Sequence, residues 1–128
     1  MQLLADTCTA LWYWGGDPRL SAHAEAALRD GPNEVVFHQV SYLEITLKYS
    51  LGKLPLALAP AILIPEALRA YRFQYARLSN RDIAGLESLP FHHRDPFDRI
   101  LISHAIDKGL TIVTPDAHIA GYGVPVIW

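Results

Sequence analysis

Most of the features that announce a function outright are scarce or missing in this sequence. The single cysteine, Cys8, excludes an internal disulfide and offers no zinc-ligand spacing. No apolar run approaches the roughly 20 residues of a membrane-spanning helix. The opening Met1-Gln2-Leu3-Leu4-Ala5-Asp6 meets an acid too early for a signal peptide. Together these absences point to the cytoplasm and away from membranes. The net charge of -2 does not advertise a nucleic-acid binder, although a local patch can act where the total does not. Gly-rich phosphate loops, serine-triad motifs and redox pairs are lacking. No repeat, linker or low-complexity segment divides the 128 residues, so residues 1–128 read as one domain with room for a real core.

What the chain does contain is an alternation of strands and helices. Leu3-Leu4-Ala5 reads as a buried strand, followed by a helix through Ala10–Trp14 and another from Pro18 to Arg29. Glu34–Phe37 is the second strand, and Gln39–Leu51 a helix stopped by Gly52. Pro65 is expected to open a short helix through Tyr71, Phe73–Leu78 a third strand, and Ser79 or Asn80 to cap a helix running to Leu89. Asp95 at an N-cap and Pro96 at the first helical position start a helix whose apolar face is Ile100, Leu101, Ala105 and Ile106, ended by Gly109. Leu110–Thr114 is the clearest strand. Val124–Trp128 is a terminal one, placed at a sheet edge by Pro125.

Such an alternation argues for an α/β fold in three α/β/α layers, with a parallel sheet of strand order 3-2-1-4-5. In that order strands 1 and 4 are neighbours, and ligands bind beyond their carboxyl ends, where the order reverses. Asp6 follows strand 1, Asp116 follows strand 4, Asp95 and Asp98 open the helix that feeds strand 4, and Glu44 lies early in the helix after strand 2. Carboxylates gathered this closely cannot all ionise unless a cation sits among them. Hard divalent ions, Mg2+ or Mn2+, suit an all-oxygen site. Glu44 has two competing uses, an ion pair with Lys48 or a capping box with Ser41. The other acids have the competing role of capping helices. A thiolate at Cys8 would be disfavoured beside Asp6.

Several stretches, in order, resemble one known family: Leu3-Leu4-Ala5-Asp6-Thr7, Glu44-Ile45 with Lys48, Leu51-Gly52-Lys53-Leu54-Pro55, His92-His93-Arg94-Asp95-Pro96-Phe97-Asp98-Arg99, Thr114-Pro115-Asp116, and Tyr122-Gly123-Val124-Pro125-Val126-Ile127-Trp128. The chain is similar throughout to PIN-domain proteins of the VapC toxin type, and the His92–Arg99 block is the most specific part of the likeness. The resemblance implies a PIN-like fold and a Mg2+- or Mn2+-dependent endoribonuclease acting as the toxin of a type II toxin–antitoxin pair. Its acids would be Asp6, Glu44, Asp98 and Asp116, with Asp95 nearby and with Thr7 and Thr114 orienting them. It also implies a VapB-type antitoxin, a homodimer and a toxin–antitoxin hetero-oligomer. Cys8 stands where the family usually has His, Leu43 where Trp is frequent, His38 where Ser or Thr is commoner, and Pro115 where a small residue is usual. None of these departures removes an acid.

RNA contact requires cations beside the acids. Arg94, Arg99, His93 and Lys48 are the candidates, with pairing to a neighbouring acid the other use for Arg99. The apolar groups of Leu11-Trp12-Tyr13-Trp14 and Leu54–Leu63 are candidates for a partner surface. Two other functions share the length and the strand-end acids. A receiver-type phosphoacceptor would need an acid beside Asp6 and a Lys-Pro pair, both absent. A non-catalytic interaction module would use its acids only as helix caps.

Overall fold

The computed structural model describes residues 1–128. Five strands, β1 (Gln2–Ala5), β2 (Glu34–His38), β3 (Gln74–Ala76), β4 (Thr111–Val113) and β5 (Val126–Ile127), form one sheet of order β3-β2-β1-β4-β5. Every pairing is parallel, with Leu3 opposite Val35 and Thr111 and with Leu4 opposite Val36 and Ile112. Alternating residues face opposite sides of the sheet. Leu3, Ala5, Val35, Phe37 and Val113 pack on one face with Ala10, Ala24, Leu28, Ile45 and Ile64. Leu4, Val36 and Ile112 pack on the other with Leu101, Ile102, Ala105 and Ile119. Both faces are therefore covered, which is why the strands read as apolar runs. The expected three-layer fold and strand order are present.

Seven helices connect and cover these strands: α1 (Thr7–Gly15), α2 (Ala22–Arg29), α3 (Gln39–Ser50), α4 (Pro60–Ala70), α5 (Asn80–Ala84), α6 (Pro96–Lys108) and α7 (Ala117–Ala120). Asp95 caps α6 and Pro96 is its first residue, as expected, and Gly109 ends it at a positive φ of 68° that suits glycine.

Several boundaries differ from the expected ones. Ser21, not Pro18, begins α2, because its hydroxyl accepts the Ala24 amide. Pro60 rather than Pro65 opens α4, and Pro65 lies within it on an exposed position. The helix expected to reach Leu89 gives way to a 3-10 turn at Gly85–Glu87. In α6 the buried face is Leu101, Ile102 and Ala105, whereas Ile106 is exposed.

The aromatic cluster of α1 also departs from expectation. Trp12 packs against Trp128 and beneath Arg19, Tyr13 against Tyr71 and Phe73, and Trp14 against Phe37 and Phe73. The chain's own aromatics therefore cover these rings in part, leaving Trp12, Tyr13 and Trp14 half-buried. Among the exposed large apolar groups, Leu43, Leu47, Leu51, Leu58 and Ile62 lie along α3 and α4 and the segment between them; others, such as Ile83, Phe91 and Ile106, lie elsewhere.

Candidate active site

Five carboxylates, Asp6, Glu44, Asp95, Asp98 and Asp116, line one pocket of about 230 Å³ with Thr7, Cys8 and Pro115. Three of them, Asp6, Asp95 and Asp116, reach it as helix N-caps. Asp6 follows β1 and caps α1, where its Oδ1 accepts the Thr9 amide at 2.8 Å. Asp116 follows β4 and caps α7 through the His118 amide at 2.9 Å. Asp95 caps α6 by accepting the amides of Phe97 and Asp98. Glu44 comes from the second turn of α3. Its Oε1 accepts the Thr7 hydroxyl at 2.6 Å, and its Oε2 accepts Lys48 Nζ at 2.5 Å. Of the two uses foreseen for Glu44, the pair with Lys48 forms. The capping box does not, because His38 caps α3, while Ser41 lies 2.9 Å from the Thr7 hydroxyl.

The hydroxyl of Thr114 donates to Oδ2 of Asp6 and its oxygen accepts the Asp116 amide at 3.1 Å. Cys8 Sγ donates to Asp6 Oδ1 at 3.3 Å, and burial followed by the charge of Asp6 holds that thiol far above its usual range, so no thiolate nucleophile is available.

Asp98 is different from its neighbours. No hydrogen-bond donor reaches it, and His93 Nε2 stays 3.6 Å away. Burial, reinforced by the charges of Asp95, Asp6, Glu44 and Asp116, pushes its pKa up to about 7. Burial also raises Asp6, against the hydrogen bonds from Thr114, Thr9 and Cys8. Lys48 is the one lysine paired into this cluster, and its hydrogen bond to Glu44 holds its ammonium above the ordinary range. One ammonium leaves the other carboxylates uncompensated, so an all-oxygen donor set that repels itself fits a hard divalent cation. Ligand atoms of His93, Asp98 and Asp116 also lie within 4.8 Å of one another.

Of the residues expected to meet RNA, Arg94 is exposed beside the pocket and Lys48 is half exposed. Arg99 requires a correction, since it is buried away from the surface and pairs with no acid. Its buried guanidinium donates to the carbonyls of Pro90 at 2.7 Å and Leu89 at 3.1 Å and lies over the Phe91 ring. Sequence reasoning passed over Tyr122, whose hydroxyl gathers the loop before α6. It also passed over Ser41, which shares a helix face with Glu44 and was weighed only as a cap.

A doubly wound parallel sheet with carboxylates over the neighbouring ends of β1 and β4 defines an α/β protein whose site lies at the switch in strand order. The chain belongs to the PIN-domain family: the family's model matches residues 3–124. PIN domains are nucleases that use divalent metals, and the class is that of a hydrolytic nuclease.

No curated protein matches the chain. Solved structures do. VapBC2 from Rickettsia felis, bound to a fragment of promoter DNA, superposes with a TM-score of 0.71 at 15% identity, covering 98% of this chain and 97% of that one. DNA-bound VapBC from Salmonella typhimurium gives 0.66 at 16% identity, covering 98% and 96%. FitAcB from Neisseria gonorrhoeae gives 0.64 at 16% identity, covering 97% and 95%. At such identities the likeness is one of fold. No helix is long and apolar enough to cross a membrane.

Proposed function

We propose that this protein is a metal-dependent endoribonuclease and the toxin of a type II toxin–antitoxin pair acting in the cytoplasm. The observation that carries the reading is Asp98, a half-buried carboxylate without a donor, held near pKa 7 by burial and by the acids around it. A protein that needed its acids only as caps would have no use for it, because Asp6, Asp95 and Asp116 already cap α1, α6 and α7.

Asp6, Glu44, Asp98 and Asp116, with Asp95 at the rim, would hold Mg2+ or Mn2+. Such an ion supplies an activated water and charge stabilisation for in-line displacement at phosphorus. The chain's own residues prepare for this. Thr114 holds Asp6 and Thr7 holds Glu44 in fixed rotamers, so little reorganisation remains when charge develops. Lys48 partly neutralises Glu44, and Arg94 meets the RNA backbone.

The partners follow from the same reading. The structural neighbours above are complexes with antitoxins, and the exposed stripe Leu43, Leu47, Leu51, Leu58 and Ile62 is of a kind that an amphipathic helix or a second copy of the chain covers. A VapB-type antitoxin that pushes a basic side chain toward the acids would displace the cation by electrostatics alone.

The decisive experiment is cleavage of single-stranded RNA with Mg2+ or Mn2+ by wild type, Asp6→Asn and Asp98→Asn. Cleavage lost in both variants with unchanged far-UV spectra supports the reading. Wild-type rates in either variant sink the assigned roles. The upstream gene product, co-expressed, should co-purify and suppress cleavage.

A further inference from the structure

The loop that leads into α6 carries the most exposed aromatic ring of the chain. Phe91 is 76% exposed, more than any other large apolar residue, and belongs to neither apolar cluster of the core. A lone apolar side chain on a surface needs no explanation, but this one is held in place. The Arg99 guanidinium lies over one face of the ring, 3.9 Å from its centre. Arg99 is itself buried and fixed, because it donates to the carbonyls of Leu89 and Pro90 and to the Tyr122 hydroxyl. The backbone that follows Phe91 is pinned by the same hydroxyl, which accepts the amides of His92 and His93, each at 3.2 Å. One face of the ring therefore rests on a fixed cation, and the opposite face is left to water.

This arrangement adds little to the fold. A ring in water forgoes the gain of burial, and Arg99 already finds acceptors in the loop backbone. It does supply what the binding of single-stranded RNA uses: a flat ring, open on one face and stiff before the ligand arrives. Its position serves the same end. Phe91 comes four residues before Asp95, which lines the acid pocket, so at most about 14 Å separates their Cα atoms. Between them Arg94 is exposed, whereas Nε2 of His93 is buried, so the RNA contact expected of His93 falls to Arg94. Ring, cation and acids follow one another along one loop, as the base, phosphate and cleavage point of a strand laid along it require.

We propose that Phe91 is a stacking platform for a nucleobase of the RNA, held from beneath by Arg99. The inference rests on the endoribonuclease reading and names one contact within it. Stacking on a ring face is tolerant of sequence, because every base has a π-face. The platform therefore holds the strand beside the acids without selecting its bases by hydrogen bonds.

Binding of a mixed-sequence single-stranded RNA oligonucleotide with Mg2+ tests this, in an Asp6→Asn background that cannot cut. Phe91→Leu keeps an apolar side chain but removes the ring, and should raise Kd about tenfold, equivalent to about 1.4 kcal/mol. Phe91→Trp keeps a flat ring and should bind within about twofold of the parent. The slope of log K against log salt should be the same in Phe91→Leu as in the parent, because no phosphate contact is lost. In cleavage by the otherwise unaltered enzyme the loss should fall on KM rather than kcat, the mark of binding made before the reaction begins. Thermal melting checks that each variant folds, and Phe91→Ser replaces Phe91→Leu if that variant does not. Unchanged Kd in folded Phe91→Leu overturns the platform and leaves the ribonuclease reading standing. A Phe91→Trp as weak as Phe91→Leu overturns it too. So does a Phe91→Leu that binds RNA normally but loses a co-purified protein partner, which would assign the ring to that partner. A wild type that neither binds nor cuts RNA overturns the ribonuclease reading and the platform with it.

Discussion

Thr114 and Asp6, 108 residues apart in sequence, are joined by a hydrogen bond from the Thr114 hydroxyl to Oδ2 of the buried carboxylate. Because the same hydroxyl oxygen accepts the Asp116 amide, the acids that follow β1 and β4 form one unit. The parallel register that sets Ala5 beside Val113 brings the two strand ends together, and the hydroxyl fixes the carboxylate between them.

Thr114→Val tests that unit at nearly constant volume. The buried carboxylate loses a donor, so stability should fall by about 1–3 kcal/mol. With one of its lowering hydrogen bonds gone, Asp6 should be driven further upward, and the pH at which cleavage sets in should move the same way. Equilibrium unfolding and a pH–rate profile read both effects. A variant with wild-type stability and profile would show the hydrogen bond to be idle.

Asp98 should make the metal-free protein less stable as pH rises. Its folded pKa of about 7 is above the ordinary 3.8, so the folded state binds the proton more tightly than the unfolded one. The resulting stabilisation is complete below about pH 4 and disappears as pH rises toward and through 7. Asp98→Asn removes the dependence and, in chelator at pH 8, should be more stable than wild type by on the order of a few kcal/mol. Urea melts at pH 5 and pH 8 measure the difference. A wild type equally stable at both, with the variant no better, would mean that the carboxylate is not strained.

A divalent ion should reverse that penalty. An ion that binds only the folded state stabilises it by about 2.7 kcal/mol at 100 times its Kd. Millimolar Mn2+ or Mg2+ should therefore raise Tm in wild type, chelator should lower it, and Asp98→Asn should lose most of the response. The absence of any shift at millimolar Mn2+ would favour acids that serve only as helix caps.

The sequence disclosed those features whose cause is local. Asp95-Pro96 marked the start of α6 and Gly109 its end, because cap chemistry lies within a few residues of the helix. The strand order followed from alternation and crossover handedness, and the order in turn brought five acids to one edge. What escaped depends on distant partners or on too few residues. Helix α7, four residues long, is barely one turn, too short for a periodic pattern to show, and no helix was expected after Asp116, which caps it. Pro60 and Pro65 both suit a helix start, and only packing of Ile64 and Ala67 selects Pro60. Arg99 is indistinguishable from a surface cation until Leu89 and Pro90 fold over it.

Another long-range feature is the buried set His38, Asp82 and His104. Asp82 accepts Nε2 of His38 and Nδ1 of His104, each at 2.9 Å, while His38 Nδ1 accepts the Val40 amide. Burial opposes ionisation of Asp82, yet the hydrogen bonds from both histidines and the Ser79 amide outweigh it and hold the carboxyl below its usual range. This network ties β2 and the start of α3 to α5 and α6. Asp82→Ala would strand two buried imidazoles and should cost about 3 kcal/mol or more, since two hydrogen bonds to a charged group, each about 1.5–3 kcal/mol, are lost. Chemical denaturation measures the loss, and a cost under about 1 kcal/mol, the range of exposed pairs, would show that the network adds little.

The two arginines that flank Asp95 and Asp98 should separate cleanly. Arg94 is exposed and in no ion pair, so Arg94→Ala should leave the melting temperature unchanged while weakening RNA binding. If its guanidinium contacts one phosphate, the slope of log K against log salt should become shallower by about 0.7, the single-strand value per contact. Arg99 is buried and spends its donors on the Leu89 and Pro90 carbonyls and on the Tyr122 hydroxyl. Arg99→Ala should lower stability by about 1–3 kcal/mol, since buried carbonyls lose their partner. Its RNA affinity should fall only as far as the loop before α6 loosens, with the salt slope of the folded protein preserved. Salt titrations of both variants decide the matter. A shallower slope for Arg99→Ala and an unchanged one for Arg94→Ala would reverse the assignment and place the phosphate contact on the buried arginine.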